Sequence, residues 1–157
     1  MKNIYFPDEQ VTWDDLKFVC YMIERIARRQ KQPNCYVVHQ IGRDELASRL
    51  SLASVQHCEN PLDVEDQWIA EYHIGEGTRD VLCVNPELVP VPPTALQMGK
   101  VYARLIEATR LSTEDYPDGI LRVYDNPICE TLDDYNCGAY YEPSYFIARA
   151  YHLGDFM

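Results

Sequence analysis

Nowhere in its 157 residues does this chain hold an apolar run approaching the roughly 20 residues that cross a bilayer, so no helical membrane segment is expected. The six cysteines, at 20, 35, 58, 83, 129 and 137, never fall in C-x-x-C spacing. His57–Cys58, His73 and the distant pair Cys129 and Cys137 lack the short paired spacing of structural zinc sites, and no metal is expected. A Gly-rich phosphate loop, an HExxH and a G-x-S-x-G are all missing, which leaves no cofactor to predict. The first ten residues, with Asp8 and Glu9 after Pro7, lack the apolar run of a secretory leader. The expectation is a cytoplasmic protein with reduced thiols.

Positive charge is the other scarcity. Ser112–Met157 holds only Arg122 and Arg149 against nine carboxylates, and it carries seven of the twelve tyrosines. Met1–Leu50 is nearly balanced, with eight Lys/Arg and seven Asp/Glu, and Ser51–Leu111 has four against nine. The net charge of −11 is therefore regional. Such a field repels phosphate backbones and anionic lipid heads and speeds encounter with cationic partners. The same imbalance also serves plain solubility.

What is present points to helices. Apolar residues make up 46% of the chain, enough for one core at this length, and a single domain over 1–157 is predicted. Thr12 with Asp15 forms a capping box, followed by Leu16, Val19, Cys20, Ile23, Ile26 and Ala27 at helical spacing to about Gln30. Arg25, Arg28, Arg29 and Lys31 complement the negative end of that helix. Cys35–Ile41 is short and apolar, open to helix or strand. Leu46, Ala47 and Leu50 mark a helix over 43–52, and Asn60-Pro61 opens another. Beyond it Trp68, Ala70, Tyr72 and Ile74 alternate and Gly75-Glu76-Gly77 precedes an apolar run, which predicts a β-hairpin near 68–84.

Pro86, Pro90, Pro92 and Pro93 stiffen a crossover at 86–93. Thr94 and Gln97 then box a helix bearing Met98, Val101, Tyr102, Leu105 and Ile106. Tyr116-Pro117-Asp118-Gly119 has the composition of a turn, Asn126-Pro127 starts a helix carrying Ile128, Leu132 and Tyr135, and Pro143 starts a last one ending at Gly154. The predicted fold is mainly α (α+β): five or six helices around one core, with one hairpin.

Residues 42–55, GRDELASRLSLASV, resemble the first helix and turn of a helix-turn-helix, and a hairpin would suit the wing of a winged-helix domain. Such a resemblance implies a DNA-binding regulator. The pattern departs from the family where Ser51 stands in place of a turn glycine and Pro61 interrupts the second helix. His57–Ile74 contains no Lys or Arg, so phosphate-neutralising side chains are missing and nucleic acid is disfavoured. A thiol enzyme is a further alternative, with Cys137 as nucleophile and His152 or Asp134 as its partner.

The C-terminal third offers a binding chemistry instead. Asp133 and Asp134 fall near a helix C-terminus, where carboxylates are mildly unfavourable, which hints at use. Tyr124-Asp125, Asp134-Tyr135 and Tyr140-Tyr141-Glu142 bring phenols and anions together. Tyr135, Tyr145 and Tyr151 read as core by spacing. The leading expectation is a non-catalytic protein of antitoxin, immunity, regulator or nucleic-acid-mimic type that docks a basic protein partner. Asp125, Asp133, Asp134 and Glu142 would steer that partner, and Tyr124, Tyr140 and Tyr141 would supply contact area.

Overall fold

The computed structural model describes residues 1–157. Eight α-helices follow in chain order: α1 Trp13–Gln30, α2 Asn34–Ile41, α3 Arg43–Gln56, α4 Pro61–Glu71, α5 Ala95–Ala108, α6 Tyr116–Tyr124, α7 Ile128–Leu132 and α8 Ser144–Leu153. One 3-10 turn, Gly138–Tyr141, links the last two. The only β pairing is an isolated bridge between Lys2 and Gln10. No helix is long and apolar enough to cross a membrane.

α1 is the axis of the fold. The Thr12 hydroxyl accepts from the Asp15 amide at 3.4 Å while Asp15 Oδ2 accepts from the Thr12 amide at 2.8 Å, so the capping box closes as its residues predict. At the far end Lys31 takes a left-handed conformation, φ 51°, and stops the helix. The buried stripe of α1 packs most extensively on α5, and α3, α2 and α4 surround the rest. Thirty-five buried residues form one continuous core, which gives every helix a shared interior.

α1 and α5 cross at Gly99. A Cβ there would stand 2.8 Å from both the Cα and the amide nitrogen of Tyr21, backbone atoms that cannot rotate away. Gly99→Ala therefore gains about 1 kcal/mol of helix propensity but loses more to overpacking, about 1–3 kcal/mol and above. Denaturant unfolding is expected to show a net destabilised variant; equal or greater stability would contradict the close crossing.

The hairpin expected over 68–84 does not form, and the helix count is eight rather than five or six. Trp68, Glu71 and Tyr72 instead gather around Arg49, which is buried on α3 and requires helical i, i+3, i+4 spacing from its partners. The Arg49 guanidinium lies over the Trp68 and Tyr72 rings, 5.3 and 5.2 Å from their centroids. It also donates to the Tyr72 hydroxyl at 2.6 Å and pairs with Glu71. The strand-like alternation of residues 68–74 thus gives way to helical spacing, which brings Trp68, Glu71 and Tyr72 together on one buried cation.

Without a hairpin wing and with Ser51 inside unbroken α3, the winged-helix arrangement is not present either. The proposed turn at Tyr116-Pro117 is the first turn of α6, since Pro needs no amide partner there. From Tyr72 to Thr94 the chain runs without regular structure, yet it is tied down at many points. Gln30 Nε2 donates to the Ile74 carbonyl at 2.9 Å, and the amides of Gly77 and Arg79 reach the carbonyls of Gln30 and Lys31 at 2.8 and 2.9 Å. Further along, the Asn85 amide meets Asn136 Oδ1 at 2.8 Å and Arg28 Nη2 meets the Pro93 carbonyl at 2.9 Å. Irregular segments of this length are uncommon in compact domains and are usually either functional loops or linkers.

Candidate functional site

The long segment forms one wall of a cleft. Arg79, Asp80 and Cys83 face Asp133, Asp134 and Asn136 across a hollow of about 180 Å³. A second hollow, about 260 Å³, adjoins it, lined by Asn34 and Cys35 from the start of α2, Asp125 at the end of α6, Cys129 and Glu130 on α7, and again Arg79 and Asp133. Asp133 and Arg79 are therefore common to both. A larger groove, about 700 Å³, runs between the start of α1 and the α3–α4 turn, past Phe18, His57 and Pro61. Asp15 is taken up by its cap and Asp14 by Lys17 at 3.4 Å, which leaves Glu59 as the groove's one unpaired carboxylate, and no buried ionisable group lines it.

Beneath the cleft lies a polar cluster that four parts of the chain assemble. Glu24 of α1 is 2% exposed, and Asp133, which caps α7, is 5% exposed. The side-chain amide of Asn34, in the first turn of α2, donates to Glu24 Oε2 at 2.8 Å and to Asp133 Oδ2 at 3.3 Å. The Tyr102 hydroxyl, from α5, donates to Asp133 Oδ1 at 2.6 Å, and the Tyr135 hydroxyl donates to Glu24 Oε1 at 2.8 Å. Arg28, one turn after Glu24, reaches its Oε1 at 3.4 Å and donates to the Tyr135 hydroxyl at 2.9 Å. Glu24 thus has a guanidinium, whereas Asp133 has only neutral donors.

Burial first, and then the charge of Glu24, raise the Asp133 carboxyl against the opposing Tyr102 hydrogen bond, Arg79 and Arg28, and together they bring it to about 8. That direction favours the protonated carboxyl at neutral pH. Burial also raises the Tyr102 phenol well above its ordinary range, with Asp133 adding to it, and it lifts the Cys129 thiol to about 12. Neither group ionises near pH 7.

The seven residues expected to form one outward patch divide. Tyr124, Asp125, Asp133 and Asp134 surround the cleft, with Asp125 and Asp134 exposed and Tyr124 and Asp133 buried. Tyr140, Tyr141 and Glu142 line a separate hollow of about 240 Å³ with Arg104. Tyr140 turns inward there and Tyr141 outward, 75% exposed. Tyr124, Asp133 and Tyr140 therefore lie inside rather than on the outward face. The Tyr124 ring is drawn in by stacking on Tyr102, centroids 4.4 Å apart, and Asp133 by its three-way network. Tyr140 packs edge-on against Tyr135 at 5.4 Å. Tyr145, placed in the core by spacing, is 77% exposed.

The Tyr124 hydroxyl is buried without a hydrogen-bond partner. The Cys20 thiol is close enough to affect its titration but falls outside hydrogen-bond geometry, and sulfur is a weak partner in any case. Cys137 is exposed, and no hydrogen bond joins its sulfur to His152 or Asp134. His152 packs instead against Tyr151, edge-on at 5.3 Å.

Sequence reasoning missed Glu24, Arg28, Asn34 and Arg79. One signal was available, a glutamate within the apolar stripe of α1, between Ile23 and Ile26. No protein-family model matches the chain, and comparison with curated proteins and with solved structures returns no match.

Proposed function

We propose that this chain is a non-catalytic binding protein, of antitoxin, immunity, regulator or nucleic-acid-mimic type, that engages a basic protein partner through the cleft between α2, the 79–84 segment and α7. The observation that carries this reading is the rim: Asp80, Asp125, Glu130 and Asp134 border two adjoining hollows from separate parts of the chain. Asp80, Glu130 and Asp134 make no ion pair, and Asp125 pairs only with His39, at 2.6 Å. Most of the buried or bridging carboxylates elsewhere, such as Glu65, Glu71, Glu114 and Asp118, are already neutralised by arginine. Uncommitted charge around a concave surface steers a cationic partner and fixes its register. Exposed Tyr141, Glu142 and Tyr145 supply flanking contact area with polar tips.

A penta-arginine peptide titrated into the protein at low and moderate salt tests this. Binding is expected at low salt and should weaken as salt screens the rim. Reversing Asp125, Glu130 and Asp134 to Lys should cost about tenfold or more in affinity, or about 1.4 kcal/mol. Reversing Asp8, Asp44 and Glu76, which are exposed and line neither hollow, changes net charge equally and should cost much less. Equal losses in the two triple variants would mean that net charge, and not this cleft, attracts the peptide.

A further inference from the structure

The cleft has a floor whose charges do not balance. Two buried carboxylates, Glu24 and Asp133, share one Asn34 amide, and Arg28 is the only guanidinium bonded to either. Burying a carboxylate without a counter-charge is costly, so the cluster must take up one positive charge. A proton can supply it. So can a cation arriving through the hollow that Asp133 lines.

Of the groups facing Asp133, Arg79 is the one uncommitted cation, and it makes no bond to the carboxyl. α1 contributes Glu24 and Arg28, and Arg28 is committed to Tyr135 and the Pro93 carbonyl. α2 contributes Asn34 and Cys35, α5 Tyr102, and α6 Tyr124 and Asp125. α7 brings Cys129, and Tyr135 follows it. From the long segment comes Arg79, half-buried in the wall of both hollows and without an ion pair. No cation bonds directly to Asp133.

Resting on the partner-binding reading above, we propose that Asp133 is the receptor for one guanidinium or ammonium group of the basic partner, which enters the hollow of about 260 Å³ and replaces the proton held by the Glu24–Asn34–Asp133 cluster. In that exchange the carboxylic O–H bond breaks, its proton passes to buffer, and both electrons stay on the carboxylate that faces the incoming cation. Binding is thereby linked to proton release.

Isothermal titration of penta-arginine into the wild-type protein at pH 7, in phosphate and in Tris, reads the linkage directly, since the two buffers differ widely in ionisation enthalpy. The expected result is about one proton released per bound peptide, with affinity rising by up to about tenfold per pH unit between pH 6 and 8. His39 is the one imidazole bonded to a rim carboxylate, at 2.6 Å from Asp125, and His39→Gln should leave the release intact. Asp133→Asn should abolish it. Binding with no difference between buffers, or release lost in His39→Gln, overturns the inference while the cleft reading stands. Absent binding, or binding indifferent to reversal of the rim, overturns both.

Discussion

The unfolding free energy of the wild-type chain is expected to fall as pH rises from about 4 to 8, and Asp133→Asn is expected to flatten that slope. Folding raises the Asp133 carboxyl from 3.8 to about 8, so the native state binds a proton that the unfolded chain has lost throughout this window. Stability is then greatest below the unfolded value and declines towards the folded one, by about 1.4 kcal/mol per pH unit for one proton. Asparagine has no proton to lose and still accepts the Tyr102 hydrogen bond. Its amide meets the Asn34 amide, however, where Asp133 Oδ2 accepted at 3.3 Å, a mismatch worth about 1 kcal/mol. The two stability profiles should therefore cross: the wild type is more stable near pH 5 and the variant near pH 8. Urea unfolding at half-unit pH intervals checks this. Parallel profiles would mean that the carboxyl is ionised in the folded state.

Arg28→Met should be the most damaging single change in the cluster, at about 3–5 kcal/mol near pH 7. Methionine fills much of the same space but removes the guanidinium from Glu24, from the Tyr135 hydroxyl and from the Pro93 carbonyl, leaving Glu24 buried with no cation bonded to it. The loss should shrink at pH 5, where protons replace the missing charge. It should shrink also in a Glu24→Gln background, because the carboxylate that Arg28 pairs with is then gone. A loss that is the same at both pH values and in both backgrounds would show that Arg28 acts by packing and by holding the long segment at Pro93. Thermal or urea unfolding of the four proteins at two pH values gives the complete cycle.

The contrast between these two residues shows what local pattern reveals. Helices with their own start signals were legible: Thr12 with Asp15 and Thr94 with Gln97 cap α1 and α5 as their spacing requires, and Gly154 ends α8 in a left-handed conformation. Leu16, Val19, Ile23, Leu46, Leu50 and Tyr102 are all buried, because helical periodicity and burial agree there. Residues 68–74 were misread because their partner, Arg49, lies on another helix, and alternation in one short run says nothing about a cation brought from α3.

The acidic end of the chain was legible as composition but not as geometry. Asp133 and Asp134 stood out as carboxylates at the wrong end of a helix, and in the fold they part company: Asp134 reaches solvent, and Asp133 is drawn under α5 by Tyr102. What places Asp133 there comes from residues 31, 99 and 109 positions earlier, at Tyr102, Asn34 and Glu24. Pairings that distant leave no local trace. The hollows are equally invisible in sequence, since one wall is an irregular segment positioned by bonds to α1 and to Asn136.

The account turns on one protonated carboxyl beneath an acidic cleft, and carbon-detected NMR titration of the aspartate and glutamate carboxyl groups observes it without a variant or a ligand. One carboxyl resonance is expected to move at about pH 8, to belong to Asp133, and to disappear from that range in Asp133→Asn. If every carboxyl completes its titration below about pH 5.5, Asp133 is ionised in the folded protein, and the proton exchange proposed for the cleft is wrong.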